Sequence, residues 1–313
     1  MPPRIAVIGS INVDLVTYLH RMPAEGETVE AASFGMHHGG KGANQAVAAA
    51  KLGSGVLMLG KVGDDVFGAN ALGNLQAHGI DTRHLLRVPG VSTGLATILV
   101  ELSGENRIMI VKGANGHLLP ADIDHAATEL AECDLILLQL EIPLETVYHA
   151  IALAAARGVD VILNPAPARP ELDLARLRQV AFLAPNRTEL AQLSGRPVAT
   201  TEQAASAARA LVAAGIGAVI VTMGSDGALL VTRDDSRHIA PISVRPVDTT
   251  GAGDAFIGSF AHFYVEARDV AKALHQAVRY AAHSITGRGA QTSFADAEEF
   301  GAFRRRVDGP VAA

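Results

Sequence analysis

The feature that most constrains this chain is a series of short apolar runs that do not alternate, at residues 5–9, 56–62, 135–140, 159–163, 180–184 and 218–222. A strand with one wet face alternates apolar and polar residues, whereas a strand covered on both faces has no reason to. Between the runs lie Ala-rich stretches with helical spacing, at 42–51, 144–157 and 201–214. Pro143 stands where a first-turn proline is tolerated, and Gly158 and Gly215 stand where helices stop. Buried strands alternating with helices predict an α/β fold with a mostly parallel sheet covered by helices.

Two regions break that rhythm. Residues 15–38 mix polar and apolar side chains without a helical period, and residues 94–112 read as a hairpin. Its strands would be 95–101 and 107–112, around a turn at Ser103-Gly104-Glu105-Asn106. The expected organisation is an α/β domain formed by 1–14, 39–93 and 113–313, with 15–38 and 94–112 forming a small β lid. Such a piece can close over a site, or it can be a surface decoration tolerated in loops.

Composition removes several classes of function. With 26 Lys+Arg against 32 Asp+Glu, the formal charge is −6; aromatics make up 4% and Trp is absent. That leaves neither the basic footprint nor the stacking platforms of a nucleic-acid binder. The single cysteine, Cys133, excludes an intrachain disulfide and a four-cysteine metal site. No uncharged apolar run is long enough to span a membrane, and the apolar stretch after Arg4 is too short for a signal peptide. The expectation is a cytoplasmic protein with no membrane partner.

Four groups of residues carry chemistry. Gly39-Gly40-Lys41-Gly42-Ala43-Asn44-Gln45-Ala46 lies at a loop-to-helix junction and nearly spells a phosphate-binding P-loop when counted from Gly35. Gly42, however, stands where a Ser or Thr would hold magnesium, so the P-loop is rejected. Bare glycines beside Lys41 and Asn44 allow close approach to a polyol or a phosphate, or simply begin a helix. In Asp248-Thr249-Thr250-Gly251-Ala252-Gly253-Asp254-Ala255-Phe256, Phe256 breaks the dinucleotide fingerprint. Gly251, Ala252 and Gly253 instead offer backbone N–H groups at a helix start, which suits an anion. Asp254, in the first turn, could cap the helix. A carboxylate would repel an anion held there, but it could take a hydroxyl proton while the pocket holds a phosphoryl group.

Asn12 and Asp14 follow the first strand with the spacing that puts two side chains on one side of an extended chain. An amide and a carboxylate suit neighbouring sugar hydroxyls, although Asx residues also make turns. Glu141, Asn164, the pair Asn186 and Glu189, and the stretch from Thr222 through Gly224, Ser225 and Gly227 each follow an expected buried strand. Open α/β sheets bind ligands at that edge. The adjacent His37 and His38 would diverge on a strand, which disfavours a shared metal ion.

Together these stretches, in order from Gly9 to Ser293, resemble the ribokinase family of carbohydrate kinases, also called the pfkB family. The run from Gly39 to Ala49, the run Asn164-Pro165-Ala166-Pro167-Ala168-Arg169 and the Gly251–Asp254 signature carry the likeness. The resemblance implies a three-layer α/β/α sandwich with a small β lid, and a homodimer in which the lids clasp. It implies ATP-dependent phosphorylation of D-ribose at O5, with deoxyribose, fructose or adenosine as alternative acceptors. Asp254 would be the general base, with Gly251, Ala252 and Gly253 forming the anion hole. Asn12, Asp14, Gly40, Lys41, Asn44 and Glu141 would contact the sugar. Asn186, Thr222, Gly224, Ser225, Gly227 and Gly253 would contact ATP, with Glu189 near the shell of a Mg2+ ion. An activating K+ ion would map to Asp248, Thr250, Ser284, Gly287, Gly289 and Ser293.

Overall fold

The computed structural model describes residues 2–101, 103 and 105–307. Gly104 of the expected turn lies outside the described residues. The strands are β1 (Arg4–Ile8), β2 (Asn12–Leu19), β3 (Ser33–Gly39), β4 (Gly55–Gly63), β5 (Asp81–Val88), β6 (Gly94–Glu101), β7 (Asn106–Val111), β8 (Leu135–Leu138), β9 (Asp160–Leu163), β10 (Phe182–Leu183), β11 (Ala218–Thr222), β12 (Ala228–Val231) and β13 (Ser236–Ile239). The α-helices are α1 (Lys41–Lys51), α2 (Val66–Ala77), α3 (Pro120–His125), α4 (Ala127–Ala131), α5 (Leu144–Arg157), α6 (Arg187–Ser194), α7 (Thr201–Ala213), α8 (Ala252–Ala267), α9 (Val270–Ser284) and α10 (Ala297–Val307).

A nine-stranded sheet runs β13-β12-β11-β10-β9-β8-β1-β4-β5. The pairs from β11 through β5 are parallel, while β12 and β13 add antiparallel at one edge. The absence of alternation in the sequence now has its cause. On β1, Ile5 and Val7 belong to a core shared with α1, α8 and α9, while Ala6 and Ile8 belong to a second core under α5 and α7. Leu135 and Leu137 against Ile136 and Leu138 repeat the division on β8. Both faces of the sheet are dry, as the non-alternating runs require.

Strand β5, which the sequence hid, has a wet side. The edge strand β5, Asp-Thr-Arg-His-Leu-Leu-Arg-Val, buries only Leu85 fully, so it carries no apolar run. The tail that ends in Arg304, Arg305 and Arg306 is the last turn of α10, where exposed cations complement the helix dipole.

The two regions that broke the rhythm meet in a second sheet, ordered β3-β2-β6-β7. β2 pairs antiparallel with β3 and parallel with β6, and β6 pairs antiparallel with β7. β2 begins at Asn12, so Asn12 and Asp14 sit on the small sheet itself rather than on a loop after β1. Among the described residues, no helix is long and apolar enough to cross a membrane.

Candidate active site

The carboxyl ends of the parallel strands converge on the start of α1. Gly40 leads into that helix with a φ of 88°, and a Cβ there would lie 2.7 Å from the Asn12 nitrogen. Gly42 is equally confined, since a Cβ would lie 2.7 Å from the Gly9 carbonyl carbon. Glycines are therefore required for the β1–β2 connection to lie on the helix start. The first N–H groups of α1 find partners at the strand ends. Lys41 N–H donates to Glu141 Oε2 at 3.1 Å, Gly42 N–H to Ser10 Oγ at 3.3 Å, and Ala43 N–H to the Ser10 carbonyl at 2.9 Å. Ser10 Oγ–H in turn donates to Glu141.

α8 packs directly on α1. Gly258 makes this possible, because a Cβ there would fall 2.5 Å from the Gln45 carbonyl oxygen and 2.7 Å from Ala48 Cβ. The close packing brings Asp254 against two successive residues of α1. Asn44 Nδ2 donates to Asp254 Oδ2 at 2.9 Å, and Gln45 Nε2 donates to Asp254 Oδ1 at 3.1 Å. Gln45 Nε2 also lies 3.3 Å from Asn164 Oδ1. The capping role weighed for Asp254 is corrected here. Gly251, with φ 76°, is the N-cap of α8, and no side chain among the described residues caps that helix. The carboxylate points across to α1 instead.

Burial pushes the Asp254 carboxyl up from its ordinary value, against the pull of Lys41, Asn44 and Gln45. Burial also raises Asp14, to about 6, with the Glu141 and Asp254 carboxylates adding to it. Glu189 is raised by burial as well. Burial works against the Lys41 ammonium, yet Asp254, Glu141 and Glu189 outweigh it and push Lys41 up. One cation among four carboxylates is a site that favours further positive charge and hydroxyl donors.

Two cavities are lined by residues of this cluster. One, of about 160 Å³, is lined by Lys41, Asn164, Asn186, Glu189, Thr222, Thr249, Gly251, Ala252, Gly253 and Asp254, among others. A Cβ on Gly253 would enter open space. Ala252, expected to offer its N–H to an anion, donates it to the Thr249 carbonyl at 3.2 Å. The other cavity, of about 350 Å³, is lined by Asn12, Ile110, Lys112, Asn115, Leu140, Glu141, Pro167 and Arg169. Asn115 anchors its wall by donating to Asn12 Oδ1 at 2.8 Å and accepting from Ile11 N–H at 2.9 Å.

The remaining expected residues divide. Asn186 and Glu189 form a reciprocal capping box on α6, each side chain accepting from the other's N–H at 2.8 Å, while both still line the smaller cavity. Gly224, Ser225 and Gly227 lie beyond β11 and do not line that cavity. Gly227 is held by backbone geometry, with φ 82° and a Cβ that would meet the Ile239 carbonyl at 2.1 Å. Asp248 ties two loops together, accepting from Thr250 N–H at 2.9 Å and from Gly289 N–H at 2.8 Å. Ser284 and Ser293 spend their hydroxyls on the carbonyls of Ala281 and Ala290.

Three residues to which the sequence reading gave no role are buried beside the cluster: Gln45, Gln139 and Gln291. Gln139 had a detectable signal, as a lone polar residue inside the apolar run 135–140. Gln45 and Gln291 had none, because their partners lie far away in the chain.

An α/β body with a second small sheet, and a buried carboxylate lining a cavity at a helix start, is the build of a sugar kinase. Residues 2–297 match the pfkB family carbohydrate kinase profile, and the chain belongs to that family. It is 54% identical over 296 residues to a deoxyribokinase of Salmonella typhi, covering 95% of this chain and 97% of the relative. It is 40% identical over 299 residues to a ribokinase of Schizosaccharomyces pombe, covering 92% and 94% respectively. The structure of Arabidopsis thaliana ribokinase complexed with ribose and ATP superposes with a TM-score of 0.92 at 31% identity, covering 97% of this chain and 99% of that one.

Proposed function

We propose that the protein transfers the γ-phosphoryl group of ATP to the primary 5-hydroxyl of a pentose, D-ribose in the first reading. The observation that carries this is the position of Asp254. Its buried carboxylate lines the smaller cavity, held by Asn44 and Gln45 and faced by Lys41 and by Glu141, which lines the larger one. The sugar occupies the larger cavity, with Asn12, Asp14 and Glu141 towards its hydroxyls. The nucleotide enters from the strand ends at Asn186 and Thr222, and its phosphates reach the turn at Gly251–Gly253.

Asp254 accepts the hydroxyl proton as the oxygen attacks the γ-phosphorus. A carboxyl raised by burial is a better base near neutral pH than an ordinary one. The start of α8 and the Lys41 ammonium hold the charge on the transferring group. Mg2+ carried by the nucleotide would neutralise phosphate charge, and the Glu189 carboxylate on the cavity wall suits its outer shell. K+ would lie between the Asp248–Thr250 segment and the loop that carries Gly287, Gly289 and Ser293. Asp248 already joins these two loops, and the ion would add fixed positive charge beside the anion pocket.

Exposed apolar side chains on the small sheet, Phe34, Met36, Ile108 and Met109 among them, support a homodimer in which two such sheets meet. The need for ATP supports a cytoplasmic location.

A second reading, 2-deoxyribose as the favoured acceptor, is supported by the 54% identity to a deoxyribokinase. Coupled ADP release with ribose, 2-deoxyribose, fructose and adenosine tests both. The proposal expects kcat/KM for the two pentoses to exceed the others by at least about tenfold, a difference of about 1.4 kcal/mol. Their ratio selects the substrate, and equal turnover of all four sinks the pentose assignment.

A further inference from the structure

Each amide that holds Asp254 is itself held. Behind Gln45, Gln139 Nε2 donates to Gln45 Oε1 at 2.7 Å. Behind Asn44, Gln291 Nε2 donates to Asn44 Oδ1 at 3.0 Å, and Asn74 Nδ2 donates to Gln291 Oε1 at 2.8 Å. A side-chain amide is nearly symmetric in shape and opposite in polarity at its two ends. Rotated half a turn, Gln45 would present an oxygen to the carboxylate and replace an attraction with a repulsion. A neighbour that only fills space cannot choose between the two orientations, whereas a hydrogen-bond donor can.

Gln139 makes that choice at its own cost. It is fully buried, and its Oε1 has no hydrogen-bond partner among the described residues. That oxygen is pressed so closely on Gly9 that a Cβ there would lie 2.0 Å from it. An unpaired buried acceptor is destabilising, so an apolar residue at 139 would serve packing alone better. What the glutamine adds is its N–H directed at Gln45.

We infer that Gln139 is a positioning residue that locks Gln45 with its N–H towards Asp254, and that Gln291 does the same for Asn44. The inference rests on the reading of Asp254 as the base. The charged groups that face Asp254 are Lys41 on α1, Glu141 beyond β8, Asp14 on β2 and Glu189 on α6, and Gln139→Met removes none of them. Loss of an oriented donor leaves the Asp254 carboxylate less favoured, so it ionises at higher pH.

The test is the pH dependence of kcat for Gln139→Met, Gln45→Met and the double variant, with melting temperatures measured alongside. In Gln139→Met the acid limb should move up by about one pH unit, lowering kcat about tenfold below the limb and no more than about twofold above it. Gln45→Met should move it at least as far, and the double variant should match Gln45→Met, because Gln139 acts through Gln45. Gln291→Met, on the other arm, should shift the limb in the same direction and carries the test should Gln139→Met not fold. An unmoved acid limb in folded Gln139→Met, or a double variant in which the two shifts add, overturns the inference and leaves Gln139 a packing residue. Asp254→Asn run in parallel keeps the two failures apart. If it is inactive while Gln139→Met keeps the parent profile, only the relay fails; if it turns over normally, the base assignment fails and the relay with it.

Discussion

The floor of the site and the small sheet above it are built to opposite rules. Around Asp254, the buried polar side chains Asn44, Gln45, Asn164 and Gln291 are joined by hydrogen bonds into one network. On the small sheet, residues Ile108 to Val111 of β7 are each at least 52% exposed, and Phe34 on β3 is 63% exposed. A satisfied buried network is rigid and specifies one arrangement. A half-exposed sheet with apolar residues on its edge strands is free to meet something else. The buried polar network thus lies on the body, and the exposed apolar surface lies on the small sheet.

The sharpest way to break this contrast is at its rigid end. Asp254→Asn should lower kcat at least about a hundredfold. Since Asp254 accepts from Asn44 and Gln45 rather than capping α8, an asparagine there turns an N–H2 group towards existing donors, and the melting temperature should fall too. Turnover within a few-fold of the parent would remove the base from the mechanism.

Asp14 stands where the two regions meet. Asp14→Ala should raise the sugar KM about tenfold to a hundredfold, the effect of losing hydrogen bonds to a charged acceptor, with less loss for 2-deoxyribose if two vicinal hydroxyls are bound. Because its carboxyl is raised from 3.8 to about 6, sugar affinity in the parent should increase as pH passes upward through that value. Stability of the free protein runs the other way. The part due to protonated Asp14 is complete below its unfolded pKa and is lost as pH rises through the folded one. Calorimetric titration of the sugar between pH 5 and pH 7.5 checks the sign, and a flat affinity would show that Asp14 does not bind it.

Gly258→Ala tests the seat of the rigid network. A Cβ at 2.5 Å from the Gln45 carbonyl must push α1 from α8, at a cost of about 1–3 kcal/mol and with a several-fold loss of kcat. Thermal unfolding reads the first and steady-state rates the second; unchanged values for both would mean the helices have slack. The smallest effect belongs to the small sheet. Met109→Lys should alter folding stability by no more than about 0.5 kcal/mol. It should nevertheless shift sedimentation from dimer to monomer, and an unchanged mass would leave that sheet without its proposed partner.

How far the sequence could be read follows the same division. Strands β1, β8, β9 and β11 announce themselves because both faces are dry, and α1, α5 and α7 because their small apolar residues recur at helical spacing. Asp254 was legible because a glycine-rich turn and a carboxylate sit together locally. β5 was not, since it lies at the edge of the large sheet and carries four charged or histidine side chains. The amide network was not legible either. Gln45 and Gln139 are 94 residues apart, and Asn44 and Gln291 are 247 apart, so their pairing leaves no local pattern. Only the fold, by setting α1 between β8 and the turn after α9, makes them neighbours.

The roots of the small sheet carry one more consequence. β2 leaves the body after Ile11, β3 returns through Gly39 and Gly40, and β6 starts at Gly94, where a Cβ would lie 2.2 Å from Asn115 Nδ2 and 2.3 Å from Asn12 Oδ1. The crossings therefore crowd into one corner, pinned by Asn115, while Glu101 at the other end of β6 lies about seven residues, or roughly 23 Å, away along the strand. A plate hung from a corner swings: its tip travels far while points near the pivot barely move. Asp14, two residues from Asn12, lies at the pivot end, where such a swing would change its bearing on Glu141 and Asp254 least.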